Sequence, residues 1–163
     1  MFPLYDENRG GKTPYINWLL IVLNVLVFFW QLQQGLSPAI LMKYGAVPSV
    51  ILHGRDFYTL VTSMFLHGGI IHLLSNMYFL FIFGDNVESA FGHLKYFLLY
   101  MIFGVVGGLM HSYVTYFYDP RSASIPAIGA SGAISGVLGA YMVLFPRARV
   151  ICLCFYFLSL IPI

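Results

Sequence analysis

Leu60 to Phe83 reads LVTSMFLHGGIIHLLSNMYFLFIF, and this stretch decides the fold class. A helix needs about 20 apolar residues to cross a hydrocarbon core, and this run is long enough. It nevertheless carries His67, His72, Ser75 and Asn76. A charge within a span costs roughly 2.5–3.5 kcal/mol on insertion scales, so polar groups gathered in one span need a reason. His72 and Asn76 are four apart and therefore share one helix face. Two readings stand open here: a functional site, or hydrogen bonding between helices, which needs only one or two such groups.

The rest of the chain has the same character. Hydrophobic residues make up 60% and charged residues 9%, with a mean hydropathy of +0.82. Soluble domains carry about 25% charged residues, so lipid is the expected solvent. Further apolar runs extend from Tyr15 to Leu32, Tyr96 to Tyr116, Ile128 to Phe145, and Val150 to the last residue, Ile163. Helices satisfy their own backbone in lipid, which predicts an all-α, polytopic transmembrane helix bundle of about five spans. The fifth run is too short to cross a bilayer and is expected to be incomplete, cut within a helix. Residues 1–14 read as a cytoplasmic N-terminal segment and residues 15–163 as one membrane domain. The first span has no small-residue cleavage site after it and reads as a retained anchor.

Arg9, Lys12, Lys95, Arg147 and Arg149 sort to one side of this topology, and Lys43, Arg55 and Arg121 to the other. That excess predicts a cytoplasmic N-terminus. The net charge of +2 is scattered, which argues against nucleic acid as a partner. Cys152 and Cys154 read as apolar fillers, because neighbours at that spacing rarely reach disulfide geometry. No zinc pattern and no His-Glu-x-x-His is present, and no pair of acidic residues lies within spans. Metalloprotease and aspartyl intramembrane protease chemistry are thereby excluded.

A second polar constellation opens the fourth run: Gly129-Ala130-Ser131-Gly132. A serine hydroxyl becomes a nucleophile only with a base to take its proton. The free N–H groups of a helix start can hold a developing oxyanion. The bland reading is packing, since Gly and Ser let membrane helices approach closely. Gly104, Gly108, Gly132, Gly136, Gly139 and Ala140 carry that packing pattern too.

His67-x4-His72-x3-Asn76 followed two spans later by Gly-Ala-Ser-Gly resembles the rhomboid family of intramembrane serine proteases. The likeness extends to Thr62–Gly69, Phe83–Glu88, Gly129–Ala140, Phe145–Arg149 and the opening Pro3–Asn8, and so covers essentially the whole chain. It is with the short bacterial and archaeal members, which implies a multi-pass protein of such a cell membrane. The resemblance implies Ser131 as nucleophile. It also implies His72 and Asn76, with the Ser131 N–H, as oxyanion hole, and Gly129 and Gly132 as shapers of the nucleophile turn. His67 is implied to be structural, and Glu88 and Gly92 to form a hydrogen-bonding turn. A fourth helix shorter than a span would lift Ser131 to the floor of a water-filled cavity.

The implied reaction is acyl transfer on a single-span transmembrane protein substrate, within the lipid bilayer and without cofactor or metal. Three departures qualify it. The family's general base is a histidine in a sixth helix that these 163 residues do not contain, so the chain alone is expected to be nearly inactive. The Trp-Arg pair of many members is Tyr58-Thr59 here, and Ser135 stands where some members have Tyr. His53 and His93 sit in loops, and His111 reads as a polar contact near a helix end, so none is expected to replace the base. Without a sixth helix, Gly136, Gly139 and Ala140 are expected to be unpacked. Two alternatives remain, a non-catalytic rhomboid-like client-binding protein and a small membrane transporter. The oligomeric state is not legible.

Overall fold

The computed structural model describes the backbone of residues 2–6, 11, 13–154 and 159–162, and the side chains of residues 11 and 13–150. In chain order the elements are β1 (Phe2–Asp6), α1 (Tyr15–Gln33), α2 (Pro38–Tyr44), α3 (Pro48–Leu52), α4 (Thr59–Thr62), α5 (Ile70–Phe91), α6 (His93–Tyr118), α7 (Ser131–Leu144), β2 (Val150–Cys154) and β3 (Ser159–Pro162). Helices α1, α5 and α6 are long and apolar enough to cross a membrane. Helix α7 has 14 residues, about 21 Å at 1.5 Å per residue, short of a hydrocarbon core of about 30 Å. The expected membrane helix bundle is therefore what the structure shows, with one short helix packed on two of the long ones.

Helix α7 packs against α6 and α5, and α1 packs against α5. Lipid offers no hydrophobic drive between helices, so close backbone approach must supply the attraction. A Cβ on Gly107 of α6 would lie 3.0 Å from the Cα of Gly132 on α7. Gly104 is filled by the Met64 side chain and Gly136 by the Phe103 ring. The expectation that Gly136 lies unpacked is thus corrected, because α6 covers it. Ala140 packs against the core cluster of Leu73, Leu80, Val87, Tyr100 and Val137. Gly139 alone of the three has nothing within 4 Å of its ideal Cβ.

Helix α1 turns Leu19, Val22, Leu26 and Phe29 outward. Its inner face carries Asn17, Asn24 and Gln31, seven apart and all fully buried. A seven-residue step nearly repeats a helix face, so three amides line one seam. Asn17 Nδ2 donates to the Leu80 carbonyl at 3.0 Å, and its Oδ1 accepts from the Tyr96 hydroxyl at 2.8 Å. The Glu88 carboxylate accepts from the N–H groups of Ile16 at 3.0 Å and Asn17 at 2.7 Å. These are orphan donors at the start of α1, where the helix dipole also favours an anion.

Three boundaries differ from expectation, the first being the end of the second span, at Phe91 and not at Phe83. The second span begins at Ile70, not near Leu60. Residues 59–69 instead form α4, a 3-10 turn at Ser63–Phe65, and a loop that ends at the extended Gly69. A pair of glycines has little helix propensity and breaks the run there. The fifth apolar run is no helix over its described part. Val150–Cys154 pairs antiparallel with Phe2–Asp6, and Ser159–Pro162 with Val150–Cys154. The strand ladder satisfies the backbone groups of the described part. The side chains of Cys152 and Cys154 lie outside the described residues, as do those of the opening Pro3–Asn8.

Candidate active site

Three backbone links hold the segment between α6 and α7 against residues 46–63. Ser49 N–H donates to the Ala123 carbonyl at 2.9 Å. Ala46 and Ala127 form a two-bond bridge at 3.0 and 2.9 Å, and Gly129 N–H donates to the Ser63 carbonyl at 2.9 Å. The chain then turns at Gly129, whose φ of +119° lies where only glycine is comfortable. Ser131 follows as the first residue of α7. The first main-chain bond of that helix runs from Ile134 N–H to the Ala130 carbonyl. The N–H groups of Ser131, Gly132 and Ala133 thus precede the ladder and have no intrahelical acceptor.

The His72 ring faces this turn from α5. A Cβ on Gly129 would come within 2.9 Å of both Cε1 and Nε2 of His72, and within 3.9 Å of Asn76 Nδ2. The structure therefore brings His72 and Asn76 to Gly129, two residues before Ser131, while Gly132 packs on Gly107 of α6. His72 Nδ1 accepts from the Gly68 N–H at 3.4 Å. With Nδ1 accepting, a neutral imidazole carries its proton on Nε2, the nitrogen that faces Gly129. Asn76 Nδ2 donates to the His72 carbonyl at 2.9 Å, and Ser135 Oγ donates to the Ser131 carbonyl at 2.8 Å.

Ser131 opens onto a cavity of about 570 Å³, shared with Gly129, Ser63, His111, Thr115 and Asp119. Sequence reading placed His111 at a helix end with no site nearby. The fold instead makes it part of the cavity wall, with Nε2 at 3.4 Å from Thr115 Oγ1. Thr115 and Asp119 were missed altogether, because no local motif marks them. His53 Nδ1 lies 2.6 Å from the Ser49 carbonyl, and His93 pairs with Glu88.

His67 lies just outside the span that starts at Ile70 and is fully buried. Burial, and secondarily its neighbour His72, push its pKa down to about 4. Its ring packs edge-on to that of His72, centroids 5.1 Å apart. Gln31 was also missed: its amide bonds both backbone groups of His67. The signal was available in the sequence, as three amides at seven-residue spacing in an otherwise apolar helix.

Residues 54–163 match the family model described as Rhomboid domain. This chain belongs to the rhomboid family. It is 37% identical over 109 residues to RHOMBOID-like protein 6, mitochondrial, of Arabidopsis thaliana, covering 66% of this chain and 33% of that protein. It is 33% identical over 136 residues to Rhomboid protease GluP of Bacillus subtilis, covering 82% of this chain and 25% of that protein. Rhomboid protein 1, mitochondrial, of Saccharomyces cerevisiae is 33% identical over 143 residues, covering 82% of this chain and 38% of that protein. The rhomboid chain thus spans about a quarter to two fifths of the length of these relatives. It is an integral membrane protein of a hydrolase family.

Proposed function

We propose that this rhomboid is an intramembrane serine endopeptidase that cleaves single-span membrane proteins through an acyl-enzyme. Ser131 is the nucleophile. His72 Nε2–H, the Asn76 side chain and the N–H of Ser131 hold the oxyanion, while Gly129 and Gly132 shape the turn. The observation that carries this reading is the meeting of α5 and α7. A histidine with its protonated nitrogen turned inward packs on the glycine two residues before a helix-starting serine that opens onto a cavity. A relative named as a rhomboid protease supports the same chemistry.

In the reaction Ser131 Oγ attacks the peptide carbonyl, and its proton passes to a base. The carbonyl oxygen becomes an anion held by donors already in place, which is where most of the rate advantage of such sites arises. The tetrahedral intermediate collapses, the amine product takes the proton, and water releases the acyl group. The base implied by the family resemblance is a sixth-helix histidine with no counterpart in these 163 residues. Loss of one member of such a unit removes several orders of magnitude in rate. The 163 residues alone are therefore proposed to show little or no proteolysis, with residues 1–14 on the cytoplasmic side and 15–163 as the membrane domain.

The test is labelling with a fluorescent fluorophosphonate. The 163-residue chain is compared with a version extended by the two further helices that the family carries. Labelling of the extended form alone, abolished by Ser131→Ala, is the expected result. If neither folded form labels, the protein binds membrane clients without cleaving them. One observation favours that second reading: His53, His93 and His111 each have a partner other than Ser131.

A further inference from the structure

We infer that Gln31 of α1 is a positioning residue for His72, setting its tautomer and aim through the His67–Gly69 turn; this rests on the protease reading above. Gln31 sits near the end of a membrane helix with 1% of its surface exposed. Its Oε1 accepts from the His67 N–H at 3.0 Å, and its Nε2 donates to the His67 carbonyl at 3.2 Å. One amide thus serves both backbone groups of one residue, as a neighbouring strand would. Donor and acceptor logic fixes which end of the amide is which.

The clamped residue stands next to a pair of glycines. Gly68 and Gly69 follow His67 directly and join the 3-10 turn to α5. Glycine has the widest conformational freedom, so such a segment takes its place from the bonds imposed on it. Gly68 uses its N–H on His72 Nδ1. His67 meanwhile lays its ring against that of His72. Both contacts that orient His72 therefore come from residues at or beside the Gln31 clamp. If the clamp is released, Gly68 N–H drifts from Nδ1, and the proton on Nε2 loses the bond that favours it.

The polar work falls on the backbone of His67, not on its ring. Among the described residues both ring nitrogens of His67 lack a hydrogen-bond partner, although the residue is fully buried. The ring acts as a wedge, and the positional information arrives through Gln31. The other amides of the α1 seam differ. Asn17 reaches α5 and α6, whereas Asn24 Nδ2 bonds the Leu20 carbonyl of its own helix at 2.8 Å. Asn24 is therefore the control for a merely structural buried amide.

The experiment reads the ring nitrogens of His72 by NMR in the ¹⁵N-histidine-labelled 163-residue chain, and Ser131 labelling by fluorophosphonate in the extended form. The wild type is expected to show one His72 tautomer with Nε2 protonated. Gln31→Leu and Gln31→Met both remove the clamp, and having two variants guards against one failing to fold. Either is expected to give mixed tautomers and labelling slower by about 10-fold or more, toward the ~10²–10³ that losing one oxyanion donor costs. Gln31→Glu, which burial keeps neutral and able to donate and accept, is expected to restore both readouts. Asn24→Leu is expected to lower stability without moving His72. A single unchanged tautomer in the folded Gln31→Leu or Gln31→Met protein overturns the inference, as does an equal shift in Asn24→Leu. If the wild type fails to label while loss of the clamp still mixes the tautomers, the protease reading falls and the coupling between α1 and His72 stands.

Discussion

Gly129→Ala should uncouple the proposed oxyanion site from the proposed nucleophile while leaving the bundle assembled. Gly129 has φ of +119°, and a side chain held in such a region costs about 1–3 kcal/mol. The new methyl would sit 2.9 Å from Cε1 and Nε2 of His72. Relaxed carbon contacts lie near ~3.5–4.0 Å, so the ring must retreat by roughly 0.6–1.1 Å. That displaces the proposed Nε2–H donor from the place where charge develops. Removing one such donor costs about 10²–10³ in rate. The expected outcome is a roughly 100-fold slower fluorophosphonate labelling of Ser131 in the extended form, with a stability loss of about 1–3 kcal/mol by SDS titration. Labelling is compared at equal folded fractions, so that unfolding does not pass for lost chemistry. A rate within about twofold of wild type, in a protein that keeps its fold, would refute the placement of His72 beside the nucleophile turn.

The seam between α6 and α7 makes a separate prediction. Gly107→Leu drives a side chain into the backbone of Gly132, where even a Cβ would be 3.0 Å from the Cα. Overpacking of this kind costs about 1–3 kcal/mol, which SDS titration measures; an unchanged midpoint would mean that the two helices are not in contact. His67 makes a prediction about pH. Its folded pKa of about 4 lies below the ordinary 6.5. The unfolded chain therefore binds a proton that the folded one refuses, and stability is lost as pH falls from about 6.5 toward 4. His67→Phe should flatten that part of the stability profile, and an identical profile in the variant would remove His67 as its source.

Much of the site was legible because it is local in sequence. His72 and Asn76 share a face by the four-residue spacing of a helix, and a glycine-flanked Ser131 at the edge of an apolar run marks a helix start. Hydropathy placed α1, α6 and α7 within about three residues, because lipid demands continuous apolar helices. The same rule misplaced the start of α5, since hydropathy does not register the Gly68–Gly69 break. It also read Val150 onward as helix, although strand pairing satisfies that backbone equally well over the residues described.

What the sequence determined by itself is the solvent and the side chains of the proposed site. Composition requires a bilayer, and two short motifs supply a serine, a histidine and an asparagine of the right kinds. Only the tertiary structure decided how they meet. Three backbone links hold the segment leading to Ser131 against residues 46–63, Gly107 admits Gly132 at backbone distance, and Gln31 reaches His67 from 36 residues away. Contacts of that range depend on which helices become neighbours. Helix packing in lipid is set by small residues and buried amides whose partners no local pattern names.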